Sequence, residues 1–437
     1  MCPKLLCLSF PEWLYKPYLT LEGPATDGVL HPYGVAFAYQ AMDSGQDLPN
    51  VQSTLMPSFR DEIDTLSARR LGVDLATLRE DRWVSNLRWR ALHEQVLRAA
   101  SLAPGSLALL TKTLSKLCLY EEVLAVTANL ACLGQSDEVS ATIRLSRLLA
   151  QFVLHLEGRG HYEISDLWGL ATELSPGSPV KVDAIYALTV QYAKYSKNRD
   201  VVARLCVMHA EAIERANTLN DFQRTFFMSR YHRVAAFDPQ MRDERDEVRC
   251  HMDRAEEFAR SLPVGSPRDE ILAKEVLYAV LESRTKEAVW LGDSELAELR
   301  ATQLTEMVPC DPRPYLHLGE ILAGAGKMDK ALRAYTNAAV YAPPGAEIAW
   351  FMQGQCCEAL GDVEGAIRNY LQSLSVDPGG ISAVESLDIL LARLGNRPLR
   401  RWCSDALGEL RAREAERNAS FEGLGPTLGA ILATPCQ

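Results

Sequence analysis

The sequence predicts an all-α fold, a right-handed α-solenoid of helical hairpins that follows a non-repeat N-terminal segment rich in aromatic residues and proline. Gly292, Gly326, Gly361 and Gly395 recur at intervals of 34, 35 and 34 residues. Small and apolar residues recur with them at helical spacing, and no strand-rich region interrupts the pattern. A period of this length is typical of paired helices that bury their apolar faces on neighbouring pairs.

The clearest unit runs from Pro312 to Ala346 and predicts two helices. The first has small and apolar residues three or four positions apart, which places them on one helical face: Tyr315, Leu318, Gly319 and Leu322. Gly326 follows, in the place where a left-handed residue commonly ends a helix. The second helix carries Ala331, Tyr335 and Ala338. It ends before Pro343, because a residue that precedes proline disfavours helical geometry.

The next unit repeats these positions with Trp350, Gly354, Cys357, Ala366, Tyr370 and Pro378. The pattern resembles the tetratricopeptide repeat family over about residues 278–380 and is degenerate elsewhere. The resemblance implies a stack of helical hairpins that binds other proteins and is not an enzyme. Arg400 and Ser404 stand where the family has an alanine and an aromatic residue. This departure indicates a C-terminal capping helix at the end of an array over residues 278–416.

Upstream, residues 106–277 predict degenerate hairpins of the same kind, and residues 61–105 predict a helical lead-in. Turns between helices are predicted at residues 119–123, 160–163 and 198–200, and an exit from a helix at residues 174–177. Three longer segments predict helical arms: Leu219–Phe237, Met241–Leu262 and Asp269–Leu291.

Both ends of the chain differ from the repeats. Residues 1–60 contain seven of the 22 prolines, and seven aromatic residues lie between Phe10 and Tyr39. Disordered segments are poor in aromatic residues, so we expect residues 1–60 to be either an N-terminal cap on the first hairpin or a docking element for a partner. Residues 417–437 predict a mobile tail.

Composition narrows the classes of function. The formal net charge of −11 and a pI near 5.4 argue against a surface that coats nucleic acid or anionic lipid. We also predict no membrane span, because no apolar stretch approaches the ~20 residues that one needs. Eight of the 11 cysteines lie along predicted helices or at their ends, which is typical of reduced thiols and a cytoplasmic protein.

The residues give little support for catalysis, and we predict no catalytic, cofactor-binding or metal-binding residue. The sequence lacks the phosphate-binding loop, dinucleotide fingerprint and nucleophile elbow. Three groups have residue types that bind metals, but a structural or surface role is favoured for each: Cys206 with His209, Cys250 with His251, and Cys2 and Cys7 with His31.

We therefore predict a scaffold or adaptor that binds a protein or peptide segment on the concave face of the solenoid. One alternative is a peptide-sensing transcriptional regulator with a DNA-binding helix-turn-helix near residues 64–82, which would use Arg69 and Arg70. Another is a non-catalytic accessory subunit of a biosynthetic enzyme. A third is an enzyme with a metal in its N-terminal segment.

In the family, first helices line the concave face, and the resemblance assigns this role to Leu316, Glu320, Ala323, Phe351, Gln355 and Glu358. The Lys, Arg and Asn set with which some family members bind carboxylates does not occur at these positions. We expect a groove for an apolar or basic peptide with Phe351 as an anchor. Alternatively, the groove is inert or holds the protein's own tail. The sequence sets neither the partner nor the oligomeric state.

Overall fold

The structure, a computed structural model, describes residues 19–20, 23–24, 95–116, 120–128, 138–156, 160–265, 267–307, 312–341 and 346–422. The predicted all-α fold of packed helical hairpins is confirmed for this part of the chain. Its two strands, β1 (Leu19–Thr20) and β2 (Gly23–Pro24), form one short antiparallel pair. Several sequence predictions lie outside the described residues: the remainder of residues 1–60, the helix-turn-helix near 64–82, the group of Cys2, Cys7 and His31, and residues 423–437.

Seventeen α-helices span the described residues. In the first part of the chain they are α1 (Pro104–Lys116), α2 (Tyr120–Val126), α3 (Glu138–Leu156), α4 (Ile164–Glu173), α5 (Pro179–Gln191), α6 (Arg199–Arg215), α7 (Asp221–Ala235), α8 (Phe237–Met241), α9 (Arg245–Arg260), α10 (Pro267–Leu291) and α11 (Ser294–Met307). In the second part they are α12 (Pro312–Gly324), α13 (Met328–Tyr341), α14 (Ala346–Leu360), α15 (Val363–Val376), α16 (Ile381–Arg393) and α17 (Arg397–Glu422). A 3₁₀ turn at Ala99–Ser101 precedes α1, and a π turn at Tyr192–Ser196 continues α5.

The described helices form two compact units. The N-terminal unit contains α1 to α11, and its largest apolar core joins α3 to α7 through buried residues that include Leu167, Ile185, Leu188, Leu205 and Phe226. The C-terminal unit contains α12 to α17, and its two cores surround Tyr335 and Tyr370. In this unit each helix contacts the next one along the chain.

Most predicted turns and arms are confirmed. Residues 160–163 and 174–178 lie between helices, and α7, α9 and α10 occupy the three predicted arms. Asn198 ends the connection before α6, where its side chain accepts a hydrogen bond from the N–H of Val201.

The turn predicted at residues 119–123 is wrong, because Tyr120–Val126 is the helix α2. Glu121 and Glu122 occupy its first turn, where carboxylates complement the positive end of the helix dipole. Val123 is fully buried. Packing of this residue against its neighbours therefore stabilises a helix, although the adjacent glutamates made the segment resemble a turn.

The period glycines end helices as predicted. Gly292, Gly326, Gly361 and Gly395 have φ angles of 78°, 75°, 83° and 71°. After α12, the N–H of Lys327 donates to the carbonyl of Leu322 (2.8 Å) and the N–H of Gly326 to that of Ala323 (3.0 Å). This pair of bonds is the Schellman motif, which satisfies the last carbonyls of a helix. The period is therefore the distance from one first-helix C-cap to the next.

Within the described residues, every helix is too short or too polar to span a lipid bilayer.

Candidate peptide-binding face

The helices α12, α14 and α16 are the first helices of three successive hairpins. In α12 and α14, one glycine lies directly against the second helix of its hairpin. A Cβ added to Gly319 would lie 2.5 Å from Cε1 of Tyr335, and one added to Gly354 would lie 2.5 Å from Cε1 of Tyr370. The glycines therefore let two fully buried rings lie directly against the backbones of α12 and α14.

Counting back from the C-cap glycines identifies equivalent positions in the three first helices. Six residues before each glycine are Glu320, Gln355 and Ile389, ten residues before are Leu316, Phe351 and Glu385, and three residues before are Ala323, Glu358 and Ala392. The six residues that the sequence proposes for the groove all fall in these rows.

Burial divides those six residues into two groups. Leu316 and Ala323 are each only 1% exposed, and they belong to the core that contains Tyr335, Ile348 and Met352. They contribute to packing within this unit rather than to its open surface. Glu320, Phe351, Gln355 and Glu358 are partly exposed.

Phe351 lies between the two cores of the C-terminal unit and packs against both. Its ring centroid is 5.6 Å from that of Tyr370, at an interplanar angle of 39°. A side chain held on two sides has lost most of its rotamer freedom before a ligand arrives, so little further ordering accompanies binding. Phe351 is therefore a partly exposed apolar ring with little freedom to move.

Glu358 is held by two hydrogen bonds. The Tyr370 hydroxyl donates to Oε2 (3.3 Å), and Nη1 of Arg393 donates to Oε1 (3.0 Å). Burial, and then the negative charge of Glu358, raise the pKa of Tyr370, so its phenol stays protonated and remains a donor. The carboxylate is thus fixed in place, and Arg393, whose side chain is 65% exposed, partly balances its charge.

Ile389 belongs to the same face although the sequence analysis missed it. It occupies the position of Glu320 and Gln355 in the last hairpin and is 52% exposed. Counting back from Gly395, as from the other cap glycines, would have found it. We call Glu320, Phe351, Gln355, Glu358 and Ile389 the first-helix face.

The chemistry of this face is apolar and acidic. Phe351 and Ile389 offer apolar surface, while Glu320 and Glu358 supply carboxylates beside them. Such a face can hold an extended segment that carries an apolar side chain close to a lysine or arginine. A basic group that binds Glu358 must compete with Arg393 for the carboxylate.

Two of the predicted groups of metal-binding residue types lie in the described part of the chain, and neither has the arrangement of a metal site. Cys206 and His209 are buried, and burial raises the pKa of Cys206 to about 12, which keeps it from the thiolate form that binds metals. His251 forms a hydrogen bond with His232, and the Nδ1 atoms of these two rings are 3.0 Å apart. It does not pair with the adjacent Cys250. In the described part of the chain, no three His, Cys, Asp or Glu side chains are grouped as they would be around a metal ion.

Comparison with known proteins identifies the repeats. The family model for the tetratricopeptide repeat matches residues 286–347 and again residues 316–380. Residues 286–380 thus match the tetratricopeptide repeat (TPR) family, which confirms the resemblance seen in the sequence. The two matches together cover the helices α11 to α15 and thus four of the five residues of the first-helix face, and they agree with the segment that the sequence pattern marks.

A curated relative supports the TPR assignment. Tetratricopeptide repeat protein 7A of Homo sapiens is 31% identical over 80 residues, which are 18% of this chain and 9% of that protein. The aligned part is therefore a small fraction of the relative's length.

Several solved structures resemble parts of this chain at low sequence identity and with low TM-scores. MamA is 17% identical with a TM-score of 0.32, over 40% of this chain and 96% of its own. YrrB, a TPR protein with an unusual peptide-binding site, is 14% identical with a TM-score of 0.31, over 45% of this chain and 89% of its own. The APC/C hetero-tetramer Cut9–Hcn1 is 11% identical with a TM-score of 0.27, over 88% of this chain and 92% of the matched chain.

Proposed function

We propose that this protein is a non-catalytic interaction scaffold that binds a peptide segment of a partner protein on the first-helix face. The observation that carries the proposal is the position of Phe351, a partly exposed aromatic residue fixed between two TPR cores and followed on the same helix by Gln355 and Glu358. Buried or half-buried aromatic anchors with a polar rim are the usual centres of protein interfaces.

The ligand that fits this face is an extended segment with one apolar side chain and an adjacent lysine or arginine. The apolar side chain would lie on Phe351 and Ile389, and the basic group would approach Glu320 or Glu358. The overall acidity of the chain favours a basic segment, because its long-range field attracts cations.

The experiment is selection from a displayed random-peptide library on the immobilised full-length protein, followed by anisotropy measurements on the selected peptides. We expect enrichment of sequences with an apolar residue next to Lys or Arg. Phe351→Ala with Glu358→Lys should abolish binding of these peptides. Since Phe351 also packs in two cores, circular dichroism must show that this variant is folded.

A second variant tests the face without touching a core. Gln355→Lys with Ile389→Lys places two cations among exposed positions of the face and should weaken binding of a basic peptide by about tenfold or more. Leu371→Lys with Gln372→Lys is the matched control, because it also replaces one aliphatic residue and one glutamine by lysine, on exposed positions of α15. Equal binding by the two double variants would refute the face as the binding site.

We also propose that the protein functions in the cytoplasm. Cys206, Cys250, Cys356, Cys357 and Cys403 are free thiols, and four of them are buried. Free cysteines on helices are typical of reducing compartments. Cell fractionation followed by thiol labelling of the native protein tests this, and an oxidised protein in a secreted fraction would refute it.

A further inference from the structure

A second cluster of charged residues lies in the N-terminal unit, outside the segment that the TPR model matches. Tyr186 on α5 lies beside Arg230 of α7, whose guanidinium carbon is 3.8 Å from the centroid of the phenol ring. Nη1 of Arg230 donates to Oδ1 of Asp183 at 2.6 Å. The stacking and the ion pair fix the guanidinium group between two helices.

Two further cations face the same phenol. Arg233 lies three residues after Arg230 on the same face of α7, and its Nε donates to Oγ of Ser283 on α10 (3.3 Å). Lys194 lies in the π turn that continues α5, which Lys197 ends in a left-handed conformation (φ 51°). The π turn is a local departure from α-helical geometry, of a kind that often marks a functional site.

The electrostatics of Tyr186 show that these cations act together. Burial opposes ionisation of the phenol, yet Arg233, Arg230 and Lys194 lower the pKa of Tyr186 below its usual value. His209, whose ring centroid is 6.1 Å from that of Tyr186, adds no charge because burial holds its pKa at about 3. The cluster is therefore positive in a chain whose formal net charge is −11.

Internal carboxylates balance only part of the positive charge of these residues. Arg230 is matched by Asp183, but among the described residues neither Lys194 nor Arg233 forms a salt bridge. Lys194 is exposed, and Tyr186, Arg230 and Arg233 are partly exposed, so a ligand can reach them. We call Tyr186, Lys194, Arg230 and Arg233 the cationic cluster.

We propose that the cationic cluster binds a carboxylate group of an acidic peptide segment, with Arg233 and Lys194 as the charged contacts and the Tyr186 hydroxyl as a hydrogen-bond donor. A guanidinium group matches the two oxygens of a carboxylate, and a lysine adds a point charge. Asp183 balances the charge of Arg230, so the net positive charge that attracts the carboxylate comes from Arg233 and Lys194. The site is separate from the first-helix face and takes a ligand of opposite charge.

The experiment measures fluorescence anisotropy of a fluorescein-labelled peptide of alternating Glu and Gly on the full-length protein. A peptide of alternating Gln and Gly is the neutral probe. We expect the Glu peptide to bind and the Gln peptide to bind at least about tenfold more weakly, since each charged hydrogen bond is stronger than a neutral one. Affinity for the Glu peptide should fall with added salt.

Lys194→Gln with Arg233→Gln should weaken binding of the Glu peptide by about tenfold or more. The matched control is Arg204→Gln with Arg249→Gln, which removes the same net charge from exposed positions of α6 and α9 in the same unit.

Three results would overturn the proposal: no binding of the Glu peptide, equal binding of the Gln peptide, or equal loss in the two double variants. A phosphoserine peptide that binds more tightly than the Glu peptide and loses affinity in Lys194→Gln with Arg233→Gln would reassign the cluster to phosphate.

Discussion

Gly319 and Gly354 are the residues on which the close packing of the TPR hairpins depends. At Gly354 the position of a Cβ is occupied by the ring of Tyr370, which is fully buried and hydrogen-bonded to Glu358. The ring cannot move without disturbing the core around it. Because glycine has only a hydrogen atom in place of a side chain here, α14 and α15 can approach each other closely.

We predict that Gly354→Ala lowers the free energy of unfolding by about 1–3 kcal/mol, the usual range for overpacking a core. The measurement is urea unfolding followed by circular dichroism. Gly408→Ala is the control, because Gly408 lies inside α17 with open space where a Cβ would go. Alanine is the better helix former, so Gly408→Ala should be neutral or stabilising. Similar destabilisation by both changes would contradict the packing argument.

His232 and His251 form a second residue-scale feature, a hydrogen bond between Nδ1 atoms across α7 and α9. One ring must donate and the other accept, so the pair cannot persist with both rings fully protonated. Burial, then His251 and Arg254, lower the pKa of His232 to about 4. Burial and Arg254 also lower the pKa of His251, although Glu247 and Asp238 act in the opposite direction.

We predict that these histidines make the fold less stable in acid. The folded-state pKa of His232 lies below the unfolded value of about 6.5, so the unfolded chain binds a proton that the folded chain does not. Stability from this group is fully present above about pH 6.5 and falls as the pH drops from 6.5 towards 4. The slope approaches at most about 1.4 kcal/mol per pH unit for each proton.

The check is the urea unfolding free energy at several pH values between 7 and 4. His232→Gln keeps a donor and an acceptor towards His251 but does not titrate, so it should reduce the slope by up to one proton. An unchanged slope would show that His232 is not responsible. His209, with its pKa near 3, contributes a similar slope that remains in this variant and serves as the internal reference.

At the scale of the element, the repeated glycine combines the end of one helix with the start of the next. After α14, the N–H of Asp362 donates to the carbonyl of Cys357 (2.8 Å), while Oδ1 of Asp362 accepts the N–H of Gly365 (2.9 Å). One residue thus completes the C-cap of α14 and forms the N-cap of α15. The tight turn between the helices needs only Gly361 and Asp362.

We predict that Gly326→Val lowers the free energy of unfolding by about 1 kcal/mol or more, because a β-branched residue is strained at a φ of 75°. Gly326→Asn should have a smaller effect, since asparagine adopts left-handed geometry more readily. Thermal unfolding of the two variants measures the difference. If Val and Asn were equally harmless, the left-handed cap would not be the reason for the glycine.

Elements with local signals could be predicted, and elements fixed by distant contacts could not. The caps, the small residues and the turns at 160–163 and 174–177 leave a mark in the sequence, because each depends on residues a few positions apart. The helix α2 was missed because the burial of Val123 fixes it. The pairing of His232 with His251 and of Asp183 with Arg230 depends on residues 19 and 47 positions apart, which no local spacing reveals.

At the scale of the whole molecule, most described helices contact a neighbour along the chain. In the N-terminal unit, α5 also contacts α7 and α7 contacts α10, so first helices pack on first helices there. Such an arrangement places Asp183, Arg230 and Ser283 on neighbouring elements although they are far apart in sequence. The six proposed groove residues fall in rows because the first helices repeat with one period, and only their exposure required the structure.

Contacts between neighbours lead to a prediction for the C-terminal unit as a whole. Leu387 of α16 is 2% exposed and lies in the core with Tyr370 and Cys403. Leu387→Ala should locally remove about 2–5 kcal/mol of packing energy. When stability is a sum of contacts between neighbours, this loss decays with distance along the stack.

Hydrogen exchange of the full-length variant should therefore accelerate most in α16 and α17, less in α14 and α15, and least in α12 and α13. Leu371→Ala, at a 46% exposed position of α15, is the control and should change little. An equal acceleration in all six helices would show instead that α12 to α17 unfold as one cooperative unit, and a change on the first-helix face would then be felt throughout it.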